Sequence, residues 1–253
     1  MDEQLTFWEH LDELRTVIIR SAVVVVVAGI AAFCMKDWVF AFVLAPRTGS
    51  FISYQWLGID NHFEVSLMNI GLTEQFMTHM RVSLYAGLIA ALPYVLYQFF
   101  AFISPALYQN EKKAATWIVC SAYLMFALGT IVNYLLVFPL TVRFLGTYQV
   151  SPDVENMLTL QSYIDTLIGM SFVMGVVFEM PVVCAILGRM GFISGAMMAR
   201  YRKHAVVAIL VVSAIITPTT DAFTLLVVAL PVWLLYEVSI WIVKLNKKNT
   251  IAC

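Results

Sequence analysis

Six apolar runs, near residues 17–38, 74–103, 112–138, 160–188, 204–217 and 222–244, decide most of what this chain can become. About 20 consecutive apolar residues make a helix that crosses a hydrocarbon layer ~30 Å thick, and only a helix satisfies its own backbone polar groups there. The runs predict an all-α integral membrane protein: six transmembrane helices in one polytopic domain over residues 1–253. Composition agrees, with 61% hydrophobic and 12% charged residues, against about 25% charged in soluble domains.

The runs are not alike. The second, third and fourth are long enough to tilt or project beyond the lipid, and Pro93 and Pro181 are expected to kink the second and fourth. The fifth and sixth are the short spans. In the fifth, only Ala205 to Ile216 is apolar before Thr217-Pro218, about 18 Å of helix at ~1.5 Å per residue. A helix that short calls for a locally thinned bilayer or water entering from one side.

Basic residues give the orientation. On the side holding both termini stand Arg15, Arg20, Lys112, Lys113, Arg189, Arg200, Arg202, Lys203, Lys244, Lys247 and Lys248, against Lys36, Arg47, Arg81 and Arg143 on the other. The positive-inside rule puts both ends in the cytoplasm. The segment from about Val39 to Thr73 then faces outward, with Tyr54 and Trp56 as interface anchors, as does the loop from Gly146 to Leu160 with its Ser151-Pro152-Asp153 turn. The first twenty residues are acid-rich rather than cationic, so the first run is expected to stay as a membrane helix.

Several function classes lose support. No exposed stretch is basic and aromatic-rich, so nucleic acid is not a partner. Cys34, Cys120, Cys184 and Cys253 form no CxxC pair, and His10, His62, His79 and His204 lack zinc-pair spacing. They read as small core residues and scattered imidazoles, with no metal, cofactor or disulfide framework. Glu9-His10-Leu11-Asp12-Glu13 is not a zinc-protease motif, and Gly169-Met170-Ser171-Phe172 lacks a second glycine for a nucleophile turn. An enzyme is not indicated.

Two places carry polar chemistry on the inner side. Thr6-Phe7-Trp8-Glu9 is a capping box that starts a helix, and Phe7, Leu11, Leu14 and Ile18 share one face while Glu9 and Glu13 point away. This segment is expected to lie on the membrane surface before turning in. Asp12 can pair with Arg15, but Glu13 meets only Thr16 and Val17 at pairing distance. The second place is the elbow after the second run, where Ser104-Pro105 supplies a cap and a first-turn proline and Glu111 opens the next helix. Glu111 reads either as a carboxylate favoured by the helix dipole or as a ligand.

Three further carboxylates sit in or beside apolar runs. Glu179, in Val176-Val177-Phe178-Glu179-Met180-Pro181, is costly to bury and must face protein or water. It reads as a proton relay, a polar contact to a partner helix, or a neutral carboxyl bonding a carbonyl freed by Pro181. Asp221 reads as a cap for the sixth helix and Glu237 as a packing hydrogen bond.

Read together, His10-Leu11-Asp12-Glu13-Leu14-Arg15, the run from Tyr97 through Ser104-Pro105 to Glu111-Lys112, Val137-Phe138-Pro139-Leu140, Phe178-Glu179-Met180-Pro181 and Thr217-Pro218 resemble the TatC family. That family is the multispanning subunit of the twin-arginine protein translocase. The motifs follow the family's order from about Phe7 to Leu245. The resemblance implies a receptor for twin-arginine signal peptides of folded proteins at the cytoplasmic face of the bacterial inner membrane. It implies a cupped, concave helix arrangement, TatA- and TatB-type single-span subunits as partners in an oligomeric complex, and export driven by the proton-motive force. Carried over, Glu13 and Glu111 correspond to signal-binding carboxylates, His10 and Arg15 to their motif, Phe102 and Pro105 to the elbow, and Glu179 to a buried polar position. Val17 stands where family members commonly carry a second cation, and Thr217-Pro218-Thr219-Thr220-Asp221 is one residue longer than the usual turn.

The residues favour such a role on their own terms. Guanidinium offers a planar fork of donors, so two adjacent arginines suit two carboxylates held a fixed distance apart. The competing class is a proton-coupled secondary transporter of a small solute with Glu179 as coupling carboxylate, which calls for a paired repeat that the sequence lacks. A structural scaffold, in which Glu13 and Glu111 are replaceable, is a further alternative.

Overall fold

The computed structural model describes residues 7–58, 63–103, 112–149, 151, 157–217 and 221–251, and it is built almost wholly of helix. In chain order the elements are α1 (Phe7–Cys34), α2 (Lys36–Leu44), α3 (Ile52–Trp56), β1 (Leu67–Met68), α4 (Glu74–Ile103), α5 (Lys112–Val132), α6 (Phe138–Thr147), β2 (Leu158–Thr159), α7 (Leu160–Val177), α8 (Met180–Arg189), α9 (Gly195–Arg200), α10 (Arg202–Ile216) and α11 (Ala222–Ile251). Among the described residues, five stretches are long and apolar enough to cross a membrane: Leu11–Cys34, Glu74–Phe99, Ile118–Thr147, Leu160–Arg189 and Ala222–Leu245.

The remaining run behaves as its length demands. α10 has 15 residues, about 22 Å of helix, well short of a ~30 Å hydrocarbon layer. The sixth run corrects the expectation of a short span. α11 extends for 30 residues, 24 of them in the apolar stretch, because Lys244-Leu245-Asn246-Lys247-Lys248 ends the hydropathy without ending helix propensity. A second correction concerns the start of the chain: α1 runs uninterrupted from Phe7 to Cys34, so the amphipathic beginning and the first span are one helix. Thr6, the expected cap, lies outside the described residues.

Prolines shape the long helices in three ways. Pro93 lies inside an unbroken α4. Pro181 has no N–H for the carbonyl of Val177 and separates α7 from α8 at Phe178-Glu179; it sits in the first turn of α8, where a missing donor costs nothing. Pro139 does something subtler. The turn before it widens into a π-helical segment, Asn133–Val137, with Phe138 N–H donating to Asn133 C=O. The extra residue in that turn lets the helix accommodate the proline ring and continue as α6.

The chain forms two compact units, Met1–Phe42 with Phe76–Leu124, and Val43–Gln75 with Met125–Cys253. In the first, α1 and α4 pack antiparallel. Phe33 stacks on His79 with ring centroids 3.8 Å apart and meets Phe76 edge-on, and Gly29 lies against Leu84. A methyl group added at Gly87 would collide with the Gly29 backbone, so glycines set the closest approach of the two helices.

The second unit has a core of Val137, Met170, Met174, Ile216, Val228 and Val232, contributed by the π turn, α7, α10 and α11. The segment between α2 and α4 is an ordered cap rather than a plain loop. β1 and β2 pair in parallel, Leu67 opposite Leu158 and Met68 opposite Thr159. Glu74 fastens the same region: one carboxylate oxygen accepts from Ile70 N–H and Gly71 N–H, the other from Gln161 N–H at 3.0 Å. Tyr163 Oη donates to Val43 C=O at 3.1 Å.

Tyr54 corrects its assignment as an interface anchor. It is 0% exposed, while Trp56 is 73% exposed. The Tyr54 hydroxyl lies 2.9 Å from Pro46 C=O and 2.8 Å from Pro139 C=O, two carbonyls of residues that have no N–H of their own. Burial pushes its phenol well above the ordinary range, with the Arg143 charge opposing. The cysteines also depart from the reading as core residues. Cys34 and Cys120 are exposed on helix surfaces, and Cys184 is half-buried.

Candidate functional site

α1 presents Glu13 and Arg15 near its start, both exposed. The neighbouring side chains explain why. Val17 and Ser21, one turn apart, are buried and turn that stripe into the protein, leaving Leu11 and Ile18 outward. The expected Asp12–Arg15 pair is absent among the described residues. The Thr16 hydroxyl donates to Asp12 C=O at 2.9 Å, and Glu13 has no ion pair among the described residues.

Phe102 is half-buried near the end of α4. The antiparallel packing fixes its level relative to Glu13. From Gly29 back to Glu13 is about 24 Å along α1, and from Gly87 forward to Phe102 about 22 Å along α4, at ~1.5 Å per residue. Because Gly29 and Gly87 touch, Glu13, Arg15 and Phe102 fall at one end of the first unit. Glu111 and Pro105 lie outside the described residues, as does the side chain of His10.

Glu179 is half-buried in the turn between α7 and α8. Its side chain makes no hydrogen bond or ion pair among the described residues, so the carbonyl freed by Pro181 is not its partner there. α5 and α7 approach each other closely beside it. A methyl group added at Gly129 would come 2.6 Å from Met174 C=O, and one at Gly175 would come 2.6 Å from the Phe126 ring. Asp221 caps α11: its Oδ1 accepts from Thr224 N–H at 2.7 Å. Glu237 is not a packing hydrogen bond but an ion-pair partner, with Oε2 2.7 Å from Arg202 Nη2.

Two polar features escaped the sequence. Asn133, fully buried in the π turn, donates to Ser171 Oγ at 2.8 Å. Glu74 gathers three backbone N–H groups. The Pro139 just beyond the π turn, and an acid at the first position of a long apolar helix, are the signals that marked them.

Comparison with known proteins agrees with the fold and with the motifs. The family profile described as "Sec-independent protein translocase protein (TatC)" matches residues 9–231. Among curated relatives, the Sec-independent protein translocase protein TatC of Carboxydothermus hydrogenoformans is 32% identical over 97% of this chain and 96% of its own length. That of Aquifex aeolicus is 34% identical over 95% of each. A solved crystal structure titled as the twin arginine translocase receptor TatC superposes with a TM-score of 0.75, at 34% identity, over 94% of this chain and 100% of its own. Helices long enough to cross a membrane, motifs in family order and a match along nearly the whole length converge, and the chain belongs to the TatC family of Sec-independent protein translocase proteins.

Proposed function

We propose that this chain is the receptor subunit of a twin-arginine translocase, binding the paired arginines of signal peptides on folded cargo through Glu13 and Glu111. The likeness over 93% and 94% of the chain to two structures solved as twin-arginine translocase receptors carries the reading. Exposed Glu13, without an ion pair among the described residues and level with the end of α4, supports the placement of the first carboxylate. In this reading six spans, α10 included, leave both termini on the cytoplasmic side of the bacterial inner membrane. His10, Arg15, Phe102 and Pro105 shape the rim, and TatA- and TatB-type single-span subunits join an oligomeric complex powered by the proton-motive force.

Energetics assign the carboxylates selectivity rather than all of the affinity. Exposed ion pairs contribute ~0 to 1 kcal/mol, and charged hydrogen bonds with less water access about 1.5 to 3 each. Two such contacts give a few kcal/mol, so the apolar part of the signal peptide must also be held. Site-specific photocrosslinking of a twin-arginine peptide around both positions tests the assignment. Crosslinks are expected to disappear in a Glu13→Ala/Glu111→Ala double variant; crosslinks of unchanged yield would remove the two-carboxylate mechanism.

A further inference from the structure

We propose that the end of the second unit built from α8, α9, the start of α10 and the last apolar turns of α11 is a binding surface for the phosphodiester headgroups of anionic phospholipids. Five cations gather there: Arg189 ends α8, Arg200 ends α9, Arg202 and Lys203 open α10, and Lys244 lies on α11.

Packing brings them together. Gly191, with φ of 80°, lets the chain reverse after α8 while Phe192 N–H donates to Leu187 C=O and Gly191 N–H to Gly188 C=O, a glycine-closed helix end. Gly188 abuts Val243, and a methyl group at Gly195 would collide with the Lys244 stem. Met198, Ile240 and Val243 form a small core between α9 and α11, and Tyr236 Oη donates to Met198 C=O at 2.8 Å. The described carboxylate at this end is Glu237, and it is committed to Arg202. Five cations against one carboxylate leave four positive charges, and Arg189, Arg200, Lys203 and Lys244 are exposed with no ion pair among the described residues.

Two observations point to lipid. The patch is flanked by exposed rings, Phe192 at 69% and Trp241 at 65%, with Tyr201 beside them, the residues that settle at the headgroup level of a bilayer. The 15-residue length of α10 also draws its basic start toward the hydrocarbon, where long stems carry their charges back to the phosphates. Arginine supplies a two-pronged donor to a phosphate and lysine a point charge. An acidic protein segment would satisfy the charge without accounting for the rings.

The purified full-length chain in detergent, challenged with phosphatidylglycerol and phosphatidylcholine and read by native mass spectrometry, tests this. Phosphatidylglycerol should be retained preferentially, and the preference should fall with added salt. Each cation near an anionic surface is worth about fivefold in binding, so Arg200→Gln with Lys203→Gln should weaken phosphatidylglycerol by roughly 25-fold and leave phosphatidylcholine unchanged. Lys36→Gln, at the start of α2, should have no effect. Equal retention of the two lipids, salt-independent retention, or an unaffected double variant would overturn the proposal. So would displacement of the lipid by glycerol 1-phosphate alone, or tighter binding of an acidic peptide. The salt series on the unaltered chain reads the proposal even if the variants misfold.

Discussion

Removing one hydroxyl from Tyr54 should loosen the cap of the second unit without creating a cavity. In Tyr54→Phe the ring keeps its edge-on contacts with Phe51 and Phe63, so the change isolates the hydrogen bond. The hydroxyl carries one proton and faces two carbonyls, Pro46 C=O and Pro139 C=O, so one bond is lost and an acceptor is left dry. A net hydrogen bond is worth ~0.5 to 1.5 kcal/mol and a stranded buried acceptor costs ~1 to 3. The middle of the stranded-acceptor range gives an expected loss of about 2 kcal/mol, near 30-fold in the opening equilibrium. Hydrogen exchange on the purified protein should show faster exchange in residues 43–56 and 138–147, with the first unit unchanged. The alkaline limb supplies a second reading. The folded phenol sits above its ordinary value of 10.0, so its contribution is complete below pH ~10 and is lost as pH rises past that point. The Tyr54→Phe variant should lack this component. A loss below ~0.5 kcal/mol, or an identical alkaline profile, would refute the assignment of Tyr54 as the pin between these segments.

Two other changes probe packing and length. Gly129→Ala would set its methyl against the Met174 carbonyl and the Phe178 side chain; backbone does not yield, so overpacking of ~1 to 3 kcal/mol should exceed the ~1 kcal/mol gain in helix propensity. Reversible unfolding in mixed micelles should show a net loss, and unchanged or raised stability would count against the close α5–α7 approach. The 15 residues of α10 should thin the surrounding bilayer by several ångströms, about the shortfall from ~30 Å. Spin-label depth profiles along α10 and α11 check this, and normal thickness beside α10 would contradict it.

The helices were legible because hydropathy run length maps directly onto span length, and the starts Glu74 and Leu160 and the break near Pro181 came from apolar boundaries and proline chemistry. The hidden features depended on contacts between distant segments. Tyr54 reads as an interface anchor from its position beside Trp56, yet its burial is decided by Pro139, far along the chain. Glu237 pairs with Arg202 across a helix hairpin that no local pattern announces. The exposed Glu13 could be picked out because its own helix offers it no cation at pairing distance, a local property.

The widened turn at Asn133–Val137 amounts to a single surplus residue carried inside an otherwise regular rod. Every residue added to or taken from a helix rotates the remainder of that helix by ~100°. Narrowing that turn to regular α-helix with the residue count unchanged would swing Pro139 and Arg143 by about that angle, away from Tyr54 and from the Phe63 ring that lies 5.6 Å from the Arg143 guanidinium, so the azimuth of the cap is governed by one surplus residue.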